Sequence, residues 1–298
     1  MISFREVSYL EFQILFLDLR SRFVDLIARE AQLTQGSLHV LFAEHLPAGF
    51  CLVTDEREYR NIRFLFVREE FRRKGYAGML LRNELREKKG TKEWKFSIQE
   101  ESEWYDCLKK LVEQEGFMIK DKVHLFTCVR DDFIHWNEYM DRKGKRLAAW
   151  LEQQGFVTIS FRECGEEWLE KLRRSEGNEY GNQLHVRGFL EGKRTPVSDT
   201  MSFLCVRGDE IAAYSLVSKV DKSSVVFEQI STCQKMISQG TVLLPFAKTM
   251  EQFWNEGCRR GVYAMYEGNL PALAFADKIL KQVTVKEKLQ YNFIKAAE

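Results

Sequence analysis

A chain of 298 residues is too long for one average domain and comfortable for two of about 150. With 45% hydrophobic and 30% charged residues, it is excluded from the disordered and coreless classes. A formal net charge of +1 excludes broad attraction to nucleic acid or an acidic membrane, because such binding needs clustered Lys and Arg in excess. No run approaches the roughly 18 apolar residues of a bilayer span. The start Met1-Ile2-Ser3-Phe4-Arg5-Glu6 lacks the basic-then-apolar order of a secretory signal, so a cytoplasmic protein is expected. The seven cysteines are scattered singly at spacings unlike any zinc site, and most lie among apolar neighbours where a reduced thiol packs as a small hydrophobe.

In chain order, apolar periodicity predicts a strand at 2–7, a helical stretch at 9–32, and strands at 38–43, 48–55 and 61–67. A helix is expected at 76–89, with apolar Met79, Leu80 and Leu85 and a stop at Lys88, Lys89 and Gly90. A strand (93–99), a helix (103–115) and a closing hairpin (117–128) follow. Residues 133–154 are charged, free of proline and helix-compatible up to Gly155, as a linker helix requires. Next come a strand (156–162), a helix (165–174), and a hairpin turning at Gly208-Asp209 between Phe203-Leu204-Cys205-Val206 and Ile211-Ala212-Ala213-Tyr214. A strand (225–231), a helix (241–257), a strand (261–266), a helix (270–280) and a last hairpin complete the chain.

The same plan thus occurs twice, and the residues repeat with it. Ile2-Ser3-Phe4-Arg5-Glu6 recurs as Ile159-Ser160-Phe161-Arg162-Glu163, an offset of 157. Phe64-Leu65-Phe66-Val67 aligns with Phe227-Glu228-Gln229-Ile230 at 163, as does Arg72 with Lys235. Ile119-Lys120-Asp121-Lys122-Val123 echoes Val285-Lys286-Glu287-Lys288-Leu289 at 166. A duplication follows, with domains expected at 1–131 and 156–298 around a linker helix at 132–155. Each copy is expected to be α/β (α+β): a mixed, mostly antiparallel sheet flanked by helices.

The segment most suggestive of chemistry is Val67-Arg68-Glu69-Glu70-Phe71-Arg72-Arg73-Lys74-Gly75-Tyr76-Ala77-Gly78, between a predicted strand and a predicted helix. Its glycines and small residues let successive amides converge, and the helix start adds about half a positive charge. Arg72, Arg73 and Lys74 place mobile cations beside it, as a pyrophosphate requires. Taken alone, the segment reads either as an anion cradle or as a solvated basic turn with Gly75 at a helix entry.

Arg72-x-x-Gly75-x-Ala77 resembles the Gln/Arg-x-x-Gly-x-Gly/Ala coenzyme A loop of the GNAT acyltransferase superfamily, and it stands after the fourth strand as it does there. The resemblance covers residues 1–130 and, more weakly, 156–296. It implies two tandem GNAT-like folds, with acetyl-CoA held in the first by Phe66, Val67, Arg72, Arg73, Lys74, Gly75, Tyr76, Ala77 and Gly78. Val67 matches the position whose backbone pairs with the pantetheine arm, and Gly116-Phe117 resembles the Gly-Phe pair that opens the family's closing hairpin. In the second copy Lys235-Met236-Ile237-Ser238-Gln239-Gly240 is a degraded version with fewer cations and Ser238 in place of the glycine. Asn269-Leu270-Pro271-Ala272 resembles the family's Asn-x-x-Ala helix start, and reads equally as an Asn cap with an early proline.

The resemblance implies attack of an amine on the thioester, with the fourth and fifth strands splayed around the donor. An ordinary amine is mostly protonated at pH 7, so a base or desolvation matters. Glu100 and Glu101, ending the fifth strand, are candidate bases or a solvated acidic turn. Glu228, within an apolar strand, is a further candidate or a solvent-facing residue. The tyrosine that protonates the leaving thiolate in the family is Val112 here; Tyr105 shares its helix face two turns away, about 10 Å. In the second copy, the matching position is Ala276. Tyr76 either stacks on the donor or caps its helix. His39, His124 and His185 lack cysteine or acidic partners at useful spacing, which predicts packing or solvent contact and no metal.

The expected function is an acetyl-CoA-dependent N-acyltransferase whose acceptor is a small-molecule or peptide amine, with neither nucleic acid nor membrane as partner and with a homodimer as a compatible assembly. The alternatives are a non-catalytic coenzyme A-binding or regulatory protein, and an aminoacyl or long-chain acyl transferase. The loop at 177–183 occupies the region that often shapes the acceptor pocket in GNAT folds.

Overall fold

The computed structural model describes every residue except 20, 57–58, 88–91, 131–133, 176–185, 187–189, 191–195 and 298. In chain order the elements are β1 (Ile2–Val7), α1 (Tyr9–Leu15), α2 (Ser21–Thr34), β2 (Ser37–Ala43), β3 (Leu46–Asp55), β4 (Tyr59–Val67), α3 (Tyr76–Glu87), β5 (Glu93–Gln99), α4 (Tyr105–Gln114) and β6 (Met118–Val129). A helical stretch follows as α5 (Ile134–Tyr139), a π turn (Met140–Gly144) and α6 (Lys145–Gln153). Beyond it lie β7 (Val157–Ser160), α7 (Glu166–Arg174), β8 (Phe203–Arg207), β9 (Glu210–Lys219), β10 (Ser224–Thr232), α8 (Leu243–Asn255), β11 (Arg260–Tyr266), α9 (Leu270–Lys278) and β12 (Thr284–Lys295). The chain has the α/β architecture that the alternating pattern predicts, with the β8–β9 turn at Gly208-Asp209 and the linker stretch helical.

Two compact units emerge, one of residues 1–123 with 289–298, the other of residues 124–288. They differ from the consecutive domains 1–131 and 156–298 that the repeat suggests, and the cause is local. Both expected closing hairpins are absent. β6 runs straight through Lys120-Asp121-Lys122-Val123-His124, and β12 through Lys286-Glu287-Lys288-Leu289-Gln290. Neither stretch holds the Gly or Asn that a tight hairpin turn needs at positive φ, so each stays extended.

In the first unit, β1 to β4 form an antiparallel meander, β5 lies parallel to β4, and the far side of β5 pairs with β12 from Gln290↔Gln99 to Lys295↔Trp94. On one face α2 buries Val24, Ile27, Ala28 and Ala31, the i, i+3, i+4, i+7 stripe of an amphipathic helix, against Phe50 and Leu52 of β3. Four phenylalanine rings, Phe12, Phe16, Phe50 and Phe66, are packed here, with Phe12–Phe50 centroids 4.8 Å apart edge-on. The other face carries α3 and α4, where Leu80, Leu81 and Val112 meet Val53, Ile62, Phe96 and Ile98.

The second unit repeats the plan: β7 to β10 are antiparallel, and β11 runs parallel to β10. α7 covers one face through Leu172, against Leu204, Tyr214 and Leu216. α8 and α9 pack on the other, where Phe246, Met250 and Phe253 are buried with Val217, Val225 and Phe227. Among the described residues no helix is long and apolar enough to cross a membrane.

Candidate active site

β4 and β5 of the first unit pair only from Tyr59↔Glu93 to Ile62↔Phe96. Beyond Ile62 the ladder stops while both strands continue, β4 to Val67 and β5 to Gln99, which opens a wedge at their C-terminal ends. In an α/β sheet, this end of parallel strands is where loops and helix N-termini converge on ligands. β4 leads into a short 3-10 turn (Glu69–Phe71), and α3 starts at Tyr76.

Between them, the backbone turns through Arg73 at φ +61° and Gly75 at φ +80°. A left-handed step at Gly75 is free of the Cβ penalty, and no heavy atom lies within 4 Å of where a Cβ would stand. The first amides of α3 lack carbonyl partners inside the helix and carry its positive dipole end, so an open, left-handed helix entry is a fit for phosphate oxygens. Arg73, Lys74 and Gly75 are exposed, Tyr76 and Ala77 half-buried. Lys74 lies over the Phe71 ring at 5.2 Å, and that ring is 6.1 Å from Tyr76. Gly78 is buried, close to Arg82 and Leu111, where it lets α3 approach α4.

The other predicted loop residues are arranged less simply. Arg72 turns back from the cradle: its Nε donates to the Val67 carbonyl at 3.1 Å, and its guanidinium lies 4.5 Å from the centre of the Trp104 ring. Phe66 sends its ring to the α1–α2 face, 5.3 Å from Phe50. Arg68 holds the α1–α2 turn to the end of β4 by donating to the Leu15 carbonyl at 2.9 Å and to Asp18, and that guanidinium keeps the Asp18 carboxyl below the usual carboxylate range.

Further along α3, Glu84 is completely buried with one oxygen 2.5 Å from His39 Nδ1, an ion-pair distance without hydrogen-bond alignment. His124 Nδ1 lies 2.6 Å from Glu287. Both histidines therefore have the acidic neighbours that sequence spacing did not suggest. His185 and the 177–183 loop lie outside the described residues.

The corresponding loop of the second unit has the same backbone device and different surroundings. β10 and β11 pair only from Ser224↔Arg260 to Phe227↔Tyr263, and Gly240 has φ +72° just before α8. There, a Cβ would meet Leu147 of α6 at 3.2 Å. Met236 of the loop is buried with Leu151 of α6 and Leu244 of α8. Lower on the same helices Trp136 of α5 is buried edge-on to Phe246 of α8 at 5.4 Å, and Phe246 meets Phe275 of α9 edge-on at 5.7 Å. The linker helices thus cover the face of α8 that corresponds to the open face of α3. The Thr241 hydroxyl at this helix start is buried without a hydrogen-bond partner.

Of the catalytic candidates, Glu100 and Tyr105 are brought together, and the residue joining them is Tyr291 of β12. Its hydroxyl donates to Glu100 Oε1 at 3.2 Å, and its ring centre is 5.3 Å from that of Tyr105. Burial is the main reason both phenols are held above the ordinary tyrosine value. Glu101 is exposed one residue on. Val112 is buried in the α3–α4 core, so the helix presents no acid at that position. Glu228 belongs to the second unit, where it sits half-buried at a β-bulge as the register steps from Phe227↔Val217 to Gln229↔Leu216. Asn269 caps α9, its Oδ1 accepting from Ala272 N at 3.2 Å. Among the described residues no group of His, Cys, Asp and Glu is arranged to hold a metal.

No family model matches the sequence, and no curated protein matches it either. Solved structures do. A tandem GNAT protein from the clavulanic acid biosynthesis pathway superposes with a TM-score of 0.68 at 12% identity, over 100% of this chain and 99% of its own. A GCN5-related N-acetyltransferase from Sphaerobacter thermophilus gives 0.66 at 12% identity over 100% and 96%. A GCN5-related glucosamine N-acetyltransferase region of a fungal multi-domain GH3 β-N-acetylglucosaminidase gives 0.70 at 10% identity, over 99% of this chain and 38% of that longer one. The fold these structures share with the chain is a mixed sheet flanked by helices. Within it, the chain has the tandem GNAT fold along its whole length.

Proposed function

We propose that the first unit is an acyl-CoA-dependent N-acyltransferase site, with acetyl-CoA as donor and a small-molecule or peptide amine as acceptor. The observation that carries this reading is the open left-handed helix entry at Gly75, set directly behind the β4–β5 wedge. Its residues fit such a donor. Amides from Gly75 to Ala77 and the side chains of Arg73 and Lys74 hold the pyrophosphate, and the unpaired edge of β4 near Val67 aligns the pantetheine arm. Arg72 joins them by leaving the Val67 carbonyl and Trp104. Acetyl-CoA, when bound, supplies a thioester carbonyl to which an amine adds. Glu100, at the end of β5, takes the proton that the amine loses. The fold neighbours named for N-acetyltransferase activity support the donor class, while the acceptor is left to the residues around the wedge.

A second reading, a coenzyme A-binding protein without turnover, is favoured by Val112 standing where the family has its acid. Calorimetry with acetyl-CoA, paired with thiol release across a panel of amines, separates the two. Saturable binding with turnover supports the enzyme; binding without turnover supports the second reading, and no binding removes both.

A further inference from the structure

β12 gives the first unit two unlike faces. Tyr291 and Phe293, paired with Ile98 and Phe96 of β5, join the core beneath α3 and α4. The opposite face of the same two strands is polar, with Asn292 across from Ser97 and Gln290 across from Gln99. Ser97 is also the first residue of β5 beyond the β4–β5 ladder, which ends at Ile62↔Phe96. It therefore marks the mouth of the wedge on the side away from α3. A donor anchored at the start of α3 leaves that side for the substrate amine.

The hydrogen bonds on this polar face run in one direction. Asn292 is 2% exposed, and its Nδ2 donates to Asp121 Oδ1 of β6 at 2.5 Å. Its Oδ1 accepts from Ser97 Oγ at 2.7 Å and from Gln290 Nε2 at 3.0 Å. A carboxylate only accepts, so Asp121 holds the NH2 end of the Asn292 amide. The carbonyl end is thereby turned toward Ser97, whose hydroxyl donates to it. That commits the single Ser97 proton, and the oxygen has only lone pairs left to offer a substrate.

We propose that Ser97 recognises the substrate amine at the wedge, with Asn292 and Asp121 as the positioning residues that fix its polarity. The proposal rests on the acyltransferase reading and narrows its substrate to an amine that carries a second hydrogen-bond donor, a hydroxyl or N–H. Glu100 stands further along β5, about 10 Å away on an extended strand, so the group met by Ser97 is several bonds from the reacting nitrogen. A substrate with an ether in that place is disfavoured. Its oxygen would face the Ser97 lone pairs, and turning the hydroxyl outward to meet it would strip a partner from the buried Asn292 carbonyl.

Linear amino alcohols of about three to six carbons and their O-methyl ethers, compared at equal chain length for thiol release from acetyl-CoA, test the assignment. In the wild-type protein kcat/KM for the alcohol is expected to exceed that for its ether by about 10-fold to 100-fold. Ser97→Ala should bring the ratio to within about twofold of one. Asp121→Asn keeps the side-chain shape and tests the positioning: either end of the new amide can face Asn292, which frees the Ser97 proton, so the ratio should fall at least about fivefold. Lost packing alone would slow both substrates alike and leave the ratio where it was. Equal kcat/KM for alcohol and ether in the wild type, or an unchanged ratio in Asp121→Asn, overturns the proposal while the acyltransferase reading stands. Wild-type protein that binds acetyl-CoA but releases no thiol with any amine sinks that reading, and the role of Ser97 with it.

Discussion

The loops at Gly75 and Gly240 have the same backbone design, a left-handed glycine at a helix start beside a wedge between parallel strands. They differ in what lies against them. Gly75 faces open space, whereas Gly240 faces Leu147 of a helix that continues through Trp136 onto the same face of α8. The contrast shows that a phosphate-binding backbone is not sufficient for a site: the apolar face of one neighbouring helix converts the feature into a packing seam. In the second unit the seam is also part of the core, because Phe246 joins the linker to α9 through two edge-on aromatic contacts.

Replacing Gly75 by glutamate should break the comparison most severely, since it sets a carboxylate and a strained left-handed side chain in the cradle. Calorimetry should then find acetyl-CoA affinity lowered by more than about 100-fold; unchanged affinity would reject the loop as the site. Trp136→Ala addresses the other side and should lower unfolding stability by about 3–5 kcal/mol in urea titrations, without adding a second equivalent of bound acetyl-CoA. A second equivalent would mean that the linker masks a working site.

Smaller effects sharpen the picture of the two cores. Burial pushes the thiols of Cys128 and Cys205, both in the second unit, up to about 12. Their folded values lie above the ordinary thiol value of about 8.5, so the stability they contribute is complete below that pH and declines as pH rises toward about 12. Alkylation at pH 8 should accordingly modify exposed Cys107 and spare both until the protein is denatured. Smallest of all, Lys235→Ala should change acetyl-CoA affinity by less than about twofold. A larger loss there would move the donor site to the second unit.

Much of this was legible in the sequence because it is local. Gly75 was identifiable from the strand-to-helix step around it, the β8–β9 hairpin from Gly208-Asp209, and the helical character of 9–32 from its periodicity, although the structure divides that stretch into α1 and α2. What escaped depends on distant partners. A straight strand and a hairpin of two short strands share one alternation of exposed and buried residues, so the period-2 pattern at 118–129 and 284–295 could not decide between them; the absence of a turn residue near Val123 and Leu289 was the available signal. Once those segments are hairpins, Tyr291 is assigned to the second copy and its contact with Glu100 is lost. The masking of Gly240 was hidden for the same reason, since nothing in Leu147 itself marks the glycine it will cover.

The pairing of Ile98 with Tyr291 has a consequence for how the protein is made. On the ribosome, β1 to β5 emerge long before residues 290–295, so the nascent first unit must wait with the outer edge of β5 unpaired, an interval in which strand edges invite mispairing. Translation halted between β5 and Gln290 would release a polypeptide with an intact phosphate loop and no closing strand, so such truncated products should be insoluble or inert, not half-active.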